Sequence, residues 1–265
     1  MFRAIAPALT LLCLSSATYA HEFWIEPQNY QIEKGAPLVA DLKNGQKFKG
    51  ASLAFFDRRI ERFELFQGGD ATPVEGRLGD IPALQGTAGD DGLLVVIHQT
   101  APSKISYKEW EKFQAFADHK NFGEMRTRHE ALGFPTDKFK ETYTRYAKAL
   151  IAVGDGAGAD VTTGMETEFV ALSNPYTDNL TEGMVVQILY QGAPRADAQI
   201  EIFERAQDDT VIITTVLADA EGRALVPVLP GHSYLLDAVV LREAPKGGDT
   251  VWETLWAALT FSVPD

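Results

Sequence analysis

Between His21 and Thr100 the chain alternates short apolar runs with turn residues. Leu38-Val39-Ala40-Asp41-Leu42 precedes Asn44-Gly45, a run from Ala51 to Phe56 follows, Arg62 to Phe66 precedes Gly68-Gly69, and Leu93 to His98 closes the series. Short β-rich runs at this spacing predict an antiparallel sandwich or barrel. The period then changes. Ser106 to Glu109 has the Ser-x-x-Glu order of a capping box, and Trp110, Phe113, Phe116 and Ala117 recur at helical spacing, which predicts a helix from about Tyr107 to Asp118. A second short helix is expected over Glu124 to Leu132, closed by Gly133 and Pro135. A third is expected to start near Thr136, with Phe139, Tyr143, Tyr146, Ala147 and Leu150 on one stripe.

Gly154 to Gly164 is rich in Gly, Ala and Asp without an apolar period, so it reads as a linker in which Asp155 and Asp160 are solvated. Beyond it, runs at Glu168 to Leu172, Met184 to Tyr190, Gln199 to Phe203, Val211 to Leu217, Ala224 to Val228, Ser233 to Leu241 and Trp256 to Val263 suggest an immunoglobulin-like set of strands. The expected fold class is therefore mainly β: two β-sandwich domains with a helical insertion of about three helices between them. The expected division is an N-terminal β domain at 21–155 with its helical segment at 106–151, a linker at 156–164, and a C-terminal immunoglobulin-like sandwich at 165–265.

The first twenty residues fall outside that plan. Arg3, the mostly apolar run from Ala4 to Leu14, and the small or polar residues leading to Thr18-Tyr19-Ala20 have the layout of a secretory signal peptide cut after Ala20. The run is about half the roughly 20 residues that span a bilayer, and no later stretch reaches that length. The expectation is a periplasmic or secreted protein with no membrane insertion after cleavage. Cys13 is the chain's one cysteine and leaves with the leader. Leu12 stands before it where a lipidation site needs a small residue, which argues against a lipid anchor.

Charge narrows the partners. Lys plus Arg number 24 against 37 Asp plus Glu, a net charge of -13, which repels phosphate backbones and argues against nucleic acid while favouring cations. Without a thiol in the mature chain, any metal must be held by nitrogen and oxygen.

Cleavage after Ala20 would leave His21 at the amino end. A terminal histidine offers its α-amine and ring Nδ1, two nitrogens that close a small chelate on a transition metal. Imidazole and amine suit nickel, cobalt, copper or zinc better than calcium or magnesium. Phe23 excludes the other terminal motif, in which histidine stands third. His119 sits at the end of the first expected helix, His129 lies on the second, and His98 ends a strand just before them, so these three are the candidate remaining metal ligands. His232, in a Pro-Gly-His turn, is left aside. Each of these rings has a plainer reading as a structural or solvated histidine. No His-Glu-x-x-His, Gly-x-Ser-x-Gly or phosphate-binding Gly-Lys-Thr occurs. Phe23, Trp24, Trp110, Trp252 and Trp256 read as core.

His21-Glu22-Phe23-Trp24-Ile25-Glu26-Pro27, Tyr143 to Leu150, Asn174-Pro175-Tyr176 and Trp256 to Phe261, in that order, resemble the periplasmic NikM-like family, catalogued largely as a domain of unknown function and associated with nickel or cobalt transport. Gly192-Ala193-Pro194, Ala198, Asp219 to Ala224, Pro230-Gly231 and Tyr234 also resemble the turn and strand order of transthyretin-like or carboxypeptidase-regulatory modules. Many relatives carry His-Pro shortly before Asn-Pro-Tyr, whereas Glu166-Thr167-Glu168 stands here; if the family site uses that histidine, the resemblance implies either that Glu166 or Glu168 replaces it or that the metal is bound differently. The resemblance implies a transition-metal-binding accessory protein that passes nickel or cobalt to an inner-membrane transporter. The alternatives are a copper histidine-brace oxidative enzyme and a metal-free envelope adaptor.

Overall fold

The computed structural model describes residues 21–265, so the leader, its cleavage and Cys13 lie outside the described residues. In chain order the strands are β1 (Glu22–Pro27), β2 (Gln31–Ile32), β3 (Pro37–Gln46), β4 (Lys49–Leu53), β5 (Ile60–Gln67), β6 (Asp70–Pro73), β7 (Leu84–Thr87), β8 (Gly92–Thr100) and β9 (Ser103–Tyr107). Helices α1 (Trp110–His119) and α2 (Arg126–Ala131) follow. Then come β10 (Phe139–Val153), β11 (Thr167–Ala171), β12 (Met184–Tyr190), β13 (Ala193–Pro194), β14 (Gln199–Arg205), β15 (Val211–Leu217), β16 (Arg223–Val226), β17 (Ser233–Glu243) and β18 (Trp252–Ser262). The chain is mainly β.

A central sheet runs in the order β15-β14-β17-β18-β10-β8-β5-β6, with β2 and β9 also paired to β10. Strands from both halves of the chain therefore share it, joined where β10 runs parallel to β18 from Glu141 opposite Trp252 to Ala149 opposite Thr260. Alternation along these strands sends side chains to two cores. Leu93, Val95, Ile97, Tyr146 and Leu150 point to one face, where they meet Phe169 and Ile188 of the β11-β12 sheet. Leu94, Val96, Ala147, Ala149 and Ile151 point to the other, where they meet Trp24, Ile25, Leu38 and Leu42 of the β1-β3-β4 sheet. A third cluster seats α1 and α2 through Trp110, Phe113, Phe116 and Met125 on Val239, Trp252 and Trp256.

Two α-helices occur among the described residues rather than three, and residues 139–153 are strand β10. Its Thr- and Tyr-rich first half suits a pleated surface, and Tyr146 to Val153 is buried on both faces, as in a central strand. A two-sided apolar run has no period of 2, which is why its aromatic positions mimic a helical stripe. The stripe expected on α1 is the buried one. Its N-cap is Glu109, without a side-chain cap bond, because Ser106 is already committed to β9. Gly133 closes α2 at φ 77, donating its N–H to the Glu130 carbonyl at 2.9 Å. Asn44-Gly45 lies inside β3, and the turn to β4 is made by Lys47 and Phe48, both left-handed. Gly45 serves a different need: a Cβ there would come within 2.1 Å of the Lys49 carbonyl oxygen.

The Asp160 side chain is fully buried instead of solvated. Its carboxylate accepts Lys148 Nζ at 3.1 Å and the backbone N–H groups of Val161 and Ala171 at 2.7 and 2.8 Å. The reason is Lys148, an ammonium on β10 with no exposure to water, which needs Asp160 and, at 3.3 Å, Glu168. Asn174 adds two further ties by donating from Nδ2 to the carbonyls of Gly156 and Gly158 at 2.8 and 3.0 Å. No helix among the described residues is long and apolar enough to cross a membrane.

Candidate functional site

The β1-β3-β4 sheet and the α1 layer lie on the same face of the central sheet without closing on each other. Between them is a cavity of about 850 Å³, reached by His21 and Phe23 of the amino-terminal segment, by His98 from β8, by Phe116 from α1, and by Glu141, Tyr143 and Arg145 from β10. That volume lies within the usual range for small-molecule sites.

His98 occupies a position that the alternation of Leu94 and Val96 reserves for the apolar core. Its ring is only 2% exposed and sits 5.2 Å from the Phe23 ring centroid and 5.1 Å from that of Phe63, the latter edge-on. Neither Nδ1 nor Nε2 has a hydrogen-bond partner. Burial pushes the imidazole down to a pKa of about 3, so it is a neutral base with an available lone pair at neutral pH. An imidazole buried this way leaves at least one N–H unsatisfied, at a cost of about 1–3 kcal/mol, unless something enters the cavity to meet it. His21 is exposed at the rim of the same cavity.

The other expected ligands are placed elsewhere. His129 is buried among Trp110, Phe113 and Phe139. Its Nδ1 accepts the Trp252 indole N–H at 3.0 Å and its Nε2 lies 2.9 Å from the Pro135 carbonyl. An indole can only donate and a carbonyl only accept, so both ring nitrogens are engaged and the tautomer is set. His119 Nε2 lies 2.8 Å from Glu201 Oε1. His232 Nδ1 lies 2.9 Å from Glu204. Glu168 accepts from Thr163 Oγ1 at 2.7 Å and the Gly164 N–H at 2.9 Å, and Glu166 pairs with Arg242. Neither glutamate lines the cavity. Among the described residues no group of three or more His, Asp or Glu side chains could hold a metal ion.

The far wall was not legible beforehand. Glu141, Tyr143 and Arg145 share one face of β10, a period-2 relation hidden by the helical reading. The Glu141 carboxyl accepts from Tyr107 Oη at 3.0 Å and from Thr254 Oγ1, which in turn accepts the Trp256 indole N–H at 2.9 Å. Burial pushes Glu141 up to about 7. Arg145 is stacked with its guanidinium carbon 4.0 Å from the Trp256 ring centroid and 5.2 Å from that of Tyr143. Trp256, expected as core, is buried and also lines the cavity. Behind it Lys120, 4.9 Å from its ring centroid, bonds Glu201 and Asp237 in a buried charge cluster. Glu22 is pushed up to about 7, by burial first and then by Asp237.

No curated protein matches the sequence. Among solved structures, a mutant of Salmonella alpha-2-macroglobulin aligns at 13% identity over 96% of this chain and 16% of that one, with a TM-score of 0.24. Trypsin-activated alpha-2-macroglobulin from Escherichia coli aligns at 11% identity over 92% and 16%, with a TM-score of 0.23. The D0-D1 domain of intimin aligns at 13% identity over 90% and 97%, with a TM-score of 0.20. The chain thus spans about 16% of the length of the two macroglobulin structures. A family model matches residues 18–242, and by that match the chain belongs to the DUF4198 family, a domain of unknown function.

Proposed function

We propose that this protein binds a divalent transition metal in the periplasm through His21 and His98, as an accessory to metal uptake. The observation that carries the reading is the His98 imidazole: buried, neutral, with both nitrogens unpartnered, and lining the same cavity as His21. Cleavage after Ala20 would add the His21 α-amine, so two residues would supply three nitrogens. These donors fit an ion that takes imidazole and amine, and they leave coordination positions facing the cavity. The NikM-like resemblance favours nickel or cobalt as cargo and an inner-membrane transporter as recipient. In that reading the carboxy-terminal strands form an immunoglobulin- or transthyretin-like scaffold for the site.

A second reading is favoured by the three-nitrogen donor set itself, because copper binds such donors more tightly than nickel or cobalt. A histidine brace opening on a cavity would then serve an oxidative enzyme, tested by oxidant consumption of the copper-loaded protein on polymeric sugars.

The deciding experiment titrates Ni²⁺, Co²⁺ and Cu²⁺ into protein beginning at His21, into the same protein with one extra residue before His21, and into His98→Ala. Metal at a hundredfold excess over Kd is expected to stabilise the first by about 2.7 kcal/mol, visible as a rise in Tm. Equal affinity in all three proteins overturns the reading.

A further inference from the structure

The cavity is far larger than an ion requires, and its far end carries charge of its own. Arg59, Lys104, Lys108, Lys112 and Arg145 line it against Glu141 alone, in a chain whose net charge is -13. Part of that positive charge is committed elsewhere: Lys104 pairs with Asp249 at 2.5 Å and Lys112 with Glu109 at 3.6 Å. Arg145 is different. Its Nη1 is buried without a hydrogen-bond partner, and Asp237, Glu141 and Glu22 act on the guanidinium through charge attraction without a contact-distance ion pair among the described residues. It is nevertheless held in place, its guanidinium carbon over the Trp256 and Tyr143 rings at 4.0 and 5.2 Å, with its backbone N–H bonded to Thr100 Oγ1 at 3.0 Å.

A guanidinium N–H buried without an acceptor is costly. A guanidinium already fixed by stacking loses little freedom when it binds a planar two-oxygen acceptor. The neighbouring walls are apolar rings, Phe23, Phe56, Phe116 and Trp256 among them. We infer that the cavity is a binding site for an organic monocarboxylate with an aromatic or alicyclic body, its carboxylate on Arg145 and its body against these rings. Inorganic phosphate fits less well, because it has no apolar body to cover the rings and a second charge that the apolar walls would have to desolvate. The inference stands on Arg145, Tyr143 and Trp256, and does not depend on a metal at His21 and His98.

The test titrates benzoate, and separately inorganic phosphate, into metal-free protein beginning at His21. Benzoate is expected to bind with a Kd below about 1 mM and phosphate at least tenfold more weakly. Arg145→Gln should weaken benzoate roughly tenfold to a hundredfold, as expected for loss of a charge-assisted hydrogen bond, and Arg145→Lys should recover part of it. One extra residue before His21, which blocks the α-amine of the proposed metal site and leaves Arg145, Tyr143 and Trp256 untouched, should leave the benzoate Kd of the metal-free protein unchanged, so the two readings fail separately. Should Arg145→Gln not fold, nitrogen-15 NMR of the arginine side chains in the unmodified protein decides: benzoate must shift a slowly exchanging guanidinium resonance. Absence of that shift, phosphate binding as tight as benzoate, or full benzoate affinity in a folded Arg145→Gln protein overturns the proposal.

Discussion

The His98 imidazole packs 5.2 Å from the ring of Phe23, so the amino-terminal strand brings the residue two places after His21 into contact with the end of β8. Phe23 is only 6% exposed and belongs to the core shared by the first and central sheets. The segment that begins at His21 is thus positioned by packing, and His21 reaches the cavity because the strand behind it is anchored.

His98→Phe should stabilise the metal-free protein by about 1–2 kcal/mol, since a ring of similar shape replaces one with an unsatisfied N–H. The gain should grow as pH falls. The His98 pKa is pushed below its ordinary 6.5 to about 3, so the stability it contributes is present above pH 6.5 and lost on acidification toward 3. Urea denaturation across that window checks both statements, and the variant should show no Tm increase with metal.

Glu141→Gln should act in the opposite pH direction. Burial pushes the Glu141 carboxyl from 4.5 to about 7, so the folded state prefers it protonated. Its contribution is present below pH 4.5 and lost as pH rises through 7, and Glu22 behaves alike. The glutamine variant should exceed the parent in stability by up to about 3 kcal/mol at alkaline pH, with the gap closing by pH 4.5. Equal stability curves at both ends would contradict the assignment.

His129→Ala is expected to cost about 2–4 kcal/mol, by opening a cavity among Trp110, Phe139 and Trp252 and freeing the Trp252 N–H and Pro135 carbonyl. Metal affinity should stay at the parent value. Calorimetric titration of the folded variant separates this structural role from ligation.

Lys148→Met should destabilise by about 3–5 kcal/mol, because Asp160 and Glu168 would be left as buried carboxylates without their cation. Adding Asp160→Asn should recover part of that loss, which a double-mutant cycle in urea would register.

Much of the β framework was legible in the sequence because turns and alternating runs are local. Met184–Tyr190 and Val211–Leu217 form as strands over the residues their patterns mark, and α1 buries its expected stripe. The largest exception was β10, with β9 lost beside it to the expected helix cap. Its centre is covered on both faces and carries no alternation to read, so the residues Glu141, Tyr143 and Arg145 were hidden with it.

Residue types and their order determined what chemistry this chain can offer: imidazole, carboxylate and guanidinium, a single thiol at Cys13, and an excess of acid. Tertiary structure alone decided which of these groups are free to act. The parallel pairing of β10 with β18 sets Arg145 against Trp256, and the packing of β1 sets His21 and His98 on one cavity, while His129 spends both nitrogens inside the helical cluster. Whether a polar atom has a partner depends on contacts between residues far apart in the chain, and local pattern carries no record of those distances.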